Sequence, residues 1–239
     1  MSSNLWRDPD FIKLWVGQTI SELGSYITGE GLPLTALLLL SATPSQLGLL
    51  SALASLPLLL FGLFAGVWVD RVRRRPLMIA ADIGRGVILL TVPLAALTGH
   101  LSFELLCLVA VLTGVLSLLF NTAYHAALPA LVERERLLDA NTKLAMTSSA
   151  AEVGGPSLAG LLIQVLSAPF AIFFDALSFL VSALSLMLIR KPEPAPIPSI
   201  TEQSVFQDIA EGLRVLCQQP ILRTFVTAAA VKSFFGSFY

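Results

Sequence analysis

GVWVDRVRRRP, residues 66–76, places four arginines and one aspartate between apolar runs. The cluster is either a basic patch for nucleic acid or a device that fixes the position of a very apolar chain. Its surroundings favour the second reading. Residues 31–69 carry no charge. The 239-residue chain is 55% hydrophobic and 13% charged, with a mean hydropathy of +0.80. A soluble domain usually holds about a quarter charged residues, so this chain has too little polar side chain to cover a water-facing surface. Lipid is the solvent its composition fits. The formal net charge of -1 supplies no overall field for an anionic polymer, and no aromatics interleave the arginines as in a base-stacking surface. Nucleic acid is not an expected partner.

Crossing ~30 Å of hydrocarbon takes about 20 helical residues. The uncharged run is too long for one such helix, and SATPS at 41–45 breaks it with turn-favouring residues. Six spans are predicted, at 11–40, 46–69, 77–97, 103–124, 142–166 and 169–189. A polar stretch, LPALVERERLLDANTK, separates the fourth from the fifth. No cleavable signal is evident at the start, so the first span reads as an uncleaved anchor. Alternating prolines in KPEPAPIPS then favour an extended, hydrated linker. Val205, Ile209, Leu213 and Leu216 recur at helical spacing behind a Ser199–Glu202 capping box, which predicts an amphipathic surface helix. A seventh apolar segment begins after Pro220. The expected organisation is a six-helix unit over 1–190, a linker with its amphipathic helix over 191–219, and the start of a seventh span over 220–239.

The turns near 41–46, 98–102 and 167–169 hold no Lys or Arg, whereas the opposite connections hold Arg7, Lys13, Arg71, Arg73, Arg74, Arg75, Arg134, Arg136, Lys143, Arg190 and Lys191. This asymmetry predicts a cytoplasmic N-terminus in an inner (plasma) membrane. The arginine cluster is then a topology anchor between spans two and three.

The same stretch resembles the loop between the second and third helices of the major facilitator superfamily, Gly-x-x-x-Asp-Arg-x-Gly-Arg-Arg. Gly66, Asp70, Arg71, Arg74 and Arg75 match, and Arg73 stands where glycine is frequent. FIKLWVGQTISELGSYIT and LPALVERERLLDANTKL are similar to the efflux branch with siderophore exporters and macrolide or tetracycline exporters. GGPSLAG, residues 154–160, resembles the fifth-helix Gly-Pro motif of drug:proton antiporters, with Gly154, Gly155, Pro156 and Gly160. The resemblance implies an all-α integral membrane protein of twelve helices in two halves. By it, this sequence is the six-helix N-terminal half, a cytoplasmic linker and a partial seventh helix, completed by a C-terminal half. It implies export of small amphipathic molecules coupled to protons. It also implies that Asp70 helps to lock one state against the other half, and that Arg71 and Arg75 pair with acids of the same loop region.

Ionisable residues inside spans are costly and so mark function. Glu22, Glu30, Asp82, Arg85, Glu152, Asp175 and Lys232 qualify. Glu22, Arg85 and Glu152 fall roughly 12–16 Å from the cytoplasmic ends of their spans at ~1.5 Å per residue, near the midplane. Asp82 and Arg85, three apart, share a helix face and read as a neutralised pair. In the sharper reading Glu22 or Glu152 takes up a proton, because a carboxyl group withdrawn from water favours its neutral form. Pro156 predicts a kink, and Gly154, Gly155 and Gly160 predict close helix approach.

Cys107 and Cys217 form no disulfide framework, and His100 and His125 have no Cys/His neighbours, so neither metal nor cofactor is expected. No nucleophile–base pair or phosphate loop supports an intramembrane enzyme. The alternative to a transporter half is a non-transporting, truncated membrane scaffold.

Overall fold

A computed structural model describes residues 5–193 and the isolated positions 219, 224, 227 and 228. Two compact units divide the chain, Met1–Pro196 and Ile197–Tyr239. The predicted amphipathic helix and the seventh span, with Cys217 and Lys232, lie outside the described residues apart from those isolated positions.

Within the first unit six long helices follow one another: α1 (Pro9–Leu40), α2 (Pro44–Asp70), α3 (Arg74–Thr98), α4 (Phe103–Leu131), α5 (Leu137–Leu166) and α6 (Ala168–Met187). Short 3-10 turns at Leu5–Arg7 and Arg134–Arg136 precede α1 and α5. All six helices are long and apolar enough to cross a membrane. Local chemistry sets their ends. Asp8 accepts hydrogen bonds from the Asp10 and Phe11 amides, with Pro9 in the first turn of α1. Thr43 and Gln46 form a reciprocal capping box at the start of α2. Gly99, at φ 72°, ends α3 while the His100 amide donates to Ala95 O at 2.9 Å. Only Ser167, also at positive φ (74°), separates α5 from α6.

Two boundaries differ from expectation. α4 continues past 124 to Leu131, because Ala127 and Leu128 keep its apolar face buried. α5 starts at Leu137 rather than 142, with Ala140 buried and Lys143 paired to Asp139 one turn earlier at 3.0 Å. The polar stretch between these spans is thus largely helical.

Neighbours run in the order α5, α1, α6, α3, α4, α2. α1 packs on α5 and α6 as α4 packs on α2 and α3, while α3 and α6 meet each other. Exchanging the first three helices with the last three preserves this pattern, the mark of an internal repeat. Leucines such as Leu59 and Leu97 are exposed, as lipid-facing positions should be.

The interior is layered. One apolar cluster includes Phe11, Leu14, Met78, Phe120 and Leu186. Another includes Leu32, Leu89, Val92, Ile172 and Phe179. Along α1, α3 and α6, Ser21, Asp82, Arg85 and Ser182 lie between these clusters and Asp175 and Ser178 lie level with the second, all buried. Glycine lets the backbones meet at this level: a Cβ on Gly24 would collide with Ser178 Oγ and Asp175 Oδ1.

Candidate functional site

The buried layer is an ionic cluster with hydroxyl neighbours. Asp82 and Arg85, one turn apart on α3, form an ion pair and are 0% and 5% exposed. The expected pairing on one helix face is present. The Arg85 guanidinium lies between two rings, with Cζ 4.5 Å from the Phe120 centroid and 4.0 Å from that of Phe179. Cation–π attraction and the adjacent carboxylate together offset its removal from water. Arg85 Nη1 also donates to Ser117 Oγ on α4 at 3.3 Å, while its Nε has no hydrogen-bond partner.

Asp175 on α6, fully buried, is the second carboxyl of the cluster. Thr28 Oγ1 on α1 bonds to its Oδ2. Ser178 Oγ lies 2.9 Å from its Oδ1 and 2.8 Å from its backbone oxygen. Asp175 was recognisable in the sequence as an ionisable residue within a span, but its partners were not. Thr28 is 147 residues away and joins it only through the packing of α1 on α6.

A cavity of about 580 Å³ opens beside this cluster, lined in part by Thr28, Arg85, Ser117, Asn121, Asp175 and Phe179. A second, of about 380 Å³, shares Ser25, Gly29, Arg85, Ser117 and Asn121 with it and adds Glu22, Tyr26 and Glu30. Glu22 is half-buried and Glu152 is exposed on α5. The structure puts Glu22 and Arg85 on one cavity wall, and Glu152 does not line it. The enclosed acids are Asp82 and Asp175.

On α5 the glycines have unequal roles. A Cβ on Gly155 would stand 2.5 Å from the Tyr26 ring, whereas Gly154 and Gly160 have open space around them. Close approach therefore belongs to Gly155 alone of the three. Around Pro156 the helix is continuous from Leu137 to Leu166.

In the arginine loop Arg74 meets Asp70, through Nη2 at 3.3 Å, and its Nη1 donates to Ala126 O on α4 at 2.7 Å. Arg75 donates instead from Nε to Leu186 O and from Nη2 to Met187 O, both at 2.8 Å. A cation suits these carbonyls at the end of α6, where the helix dipole is negative. Arg71 caps α2, and a Cβ on Gly66 would meet nothing within 4 Å. The Glu193 carboxylate accepts from the Arg74 and Arg75 amides, capping α3, whose own Arg73 supplies no side-chain cap. No group of His, Cys, Asp and Glu among the described residues could hold a metal ion.

Residues 14–239 match the Major Facilitator Superfamily. The chain is 28% identical over 238 residues to the uncharacterized MFS-type transporter YfiS of Bacillus subtilis (strain 168), covering 98% of this chain and 56% of that protein. It is 25% identical over 215 residues to macrolide efflux protein A of Streptococcus pyogenes, covering 90% and 53%. It is 31% identical over 210 residues to the putative bacilysin exporter BacE of Bacillus amyloliquefaciens, covering 86% and 50%. The chain thus spans about half the length of the curated relatives it matches. No solved structure matches it. With six apolar helices, a buried ionic layer and a match along nearly its whole length, the chain belongs to the Major Facilitator Superfamily of membrane transporters.

Proposed function

We propose that this chain forms the N-terminal half of a proton-coupled exporter of small amphipathic molecules, in an inner membrane with its N-terminus on the cytoplasmic side. A C-terminal half is the expected partner, and the substrate would bind between the halves. The observation that carries the reading is the cavity of about 580 Å³ whose wall combines Leu32, Leu50 and Phe179 with Arg85 and Asp175. An apolar wall with a few placed polar groups suits an amphipathic ligand. Relatives named for macrolide efflux and multidrug efflux support the direction of transport. Carboxyl groups near Arg85 supply candidates for the exchanged proton, Glu22 on the cavity wall and Asp82 one turn away, and Glu152 on the exposed face of α5 is a further candidate. Asp70, Arg71, Arg74 and Arg75, with Gly66 before them, would form the gating loop.

The test is drug accumulation in a pump-deficient bacterial host expressing the complete reading frame. Lower accumulation of a macrolide, restored by a protonophore, is the expected result. Accumulation that falls regardless of the protonophore would overturn proton coupling, and unchanged accumulation across amphipathic drugs would overturn export.

A further inference from the structure

The buried layer contains two carboxyl groups and one guanidinium. If all three were ionised, the layer would carry one uncompensated negative charge. An unpaired charge inside a membrane protein is expensive. Asp82 meets Arg85 directly, whereas Asp175 has hydroxyl groups as its hydrogen-bonding neighbours. α3, packed on α6, brings Arg85 and Asp82 to this layer. α1 contributes Thr28 at this contact and carries Glu22 and Glu30 on the second cavity with Arg85, while α5 carries Asp139, Lys143 and Glu152.

The hydroxyl geometry leaves room for a proton on Asp175. Ser178 Oγ is within hydrogen-bond distance of two oxygens of Asp175, the backbone carbonyl at 2.8 Å and Oδ1 at 2.9 Å. A serine hydroxyl has one proton to donate and lone pairs that accept. When it donates to Oδ1 the carboxyl group accepts in either charge state, and when it donates to the backbone carbonyl a proton on Oδ1 completes the second contact. Thr28 meanwhile donates to Oδ2.

We infer that Asp175 is a proton-binding site, held neutral by its complete burial while Arg85 remains paired with Asp82. The inference rests on the transporter reading for its purpose and not for its chemistry. Asp175 lines the large cavity, so its proton has a route out. On release, the O–H bond at Oδ1 breaks, water in the cavity takes the proton, and the bonding pair stays on the carboxylate. Arg85, whose Nε has no partner, can then turn a donor toward Asp175. Proton loss would thereby change how α3 is tied to α6.

Infrared spectroscopy of the full chain in lipid vesicles tests this, because a carboxylic acid and a carboxylate absorb at distinct frequencies. A buried carboxylic-acid band is expected at neutral pH. Asp175→Asn should abolish it, while Thr28→Val and Ser178→Ala should shift its frequency without removing it. Asp82→Asn should also abolish it, since Arg85 then balances an ionised Asp175. Glu22→Gln and Glu152→Gln should leave it unchanged. Absence of the band in the unmodified chain would overturn the inference. So would a band whose frequency ignores both hydroxyl variants, which also decides the matter if Asp175→Asn does not fold. A present, shifting band with no protonophore-sensitive export would leave this site standing and remove the transport reading. Protonophore-sensitive export without the band would overturn the site and leave coupling to another carboxyl.

Discussion

The Tyr26 ring of α1 lies against Gly155 of α5, so closely that a methyl group on the glycine would overlap it. The neighbouring contact from Trp15 Nε1 to Thr147 Oγ1, at 2.9 Å, joins the same two helices. Position 155 therefore sets how near α1 and α5 can come. Gly155→Ala should destabilise the six-helix unit by about 1–3 kcal/mol through overpacking. Gly154→Ala and Gly160→Ala, with open space around them, should be neutral or slightly stabilising. Thermal unfolding in detergent compares the three, and equal losses would refute the distinction.

Arg85 balances the enclosed Asp82 carboxylate and fills the gap between two phenyl rings. Arg85→Leu should cost about 3–5 kcal/mol, the usual penalty for removing one partner of a buried ion pair. Arg85→Lys should recover part of this, since it restores charge without the planar group that the rings hold. Denaturant unfolding of both variants checks the order. A leucine variant as stable as the parent would mean that the acids are already neutral without Arg85.

Glu193 supplies the cap that α3 lacks on its own side chains. Glu193→Ala should lower stability by about 0.5–2 kcal/mol. Hydrogen exchange should rise first at the amides of Arg74 and Arg75. Unchanged exchange there would show that the cap is not formed in the membrane.

Orientation has a direct readout. A cysteine replacing Ser102, in the turn before α4, should react with an impermeant thiol reagent applied outside cells. A cysteine replacing Arg73, between α2 and α3, should react only after the membrane is opened. The opposite pattern would invert the proposed topology.

Much of this architecture was legible because its signals are local. SATPS and Gly99 end helices by their own backbone preferences, and the three-residue spacing of Asp82 and Arg85 dictates a shared face. What escaped depends on contacts between distant segments. Nothing near Asp175 in sequence announces Thr28. Nothing in RVRRRP tells which arginine will reach Asp70 and which will reach the end of α6. GGPSLAG shows three glycines, but only the packing of α1 shows that the middle one bears the close contact. Glu152 sits at a suitable depth, and only the packed helices show that it stays exposed and off the cavity wall.

The apolar clusters of the interior have an electrical consequence. Hydrocarbon-like material carries most of a membrane's voltage drop, and these clusters flank the Asp82–Arg85 pair along α3. A proton that reaches Asp175 from water has crossed part of that drop. The full drop is worth about 2.3 kcal/mol per elementary charge for each 100 mV. Occupancy of the site would accordingly respond to membrane voltage as well as to pH, and the share of the field it feels would measure the electrical depth of Asp175.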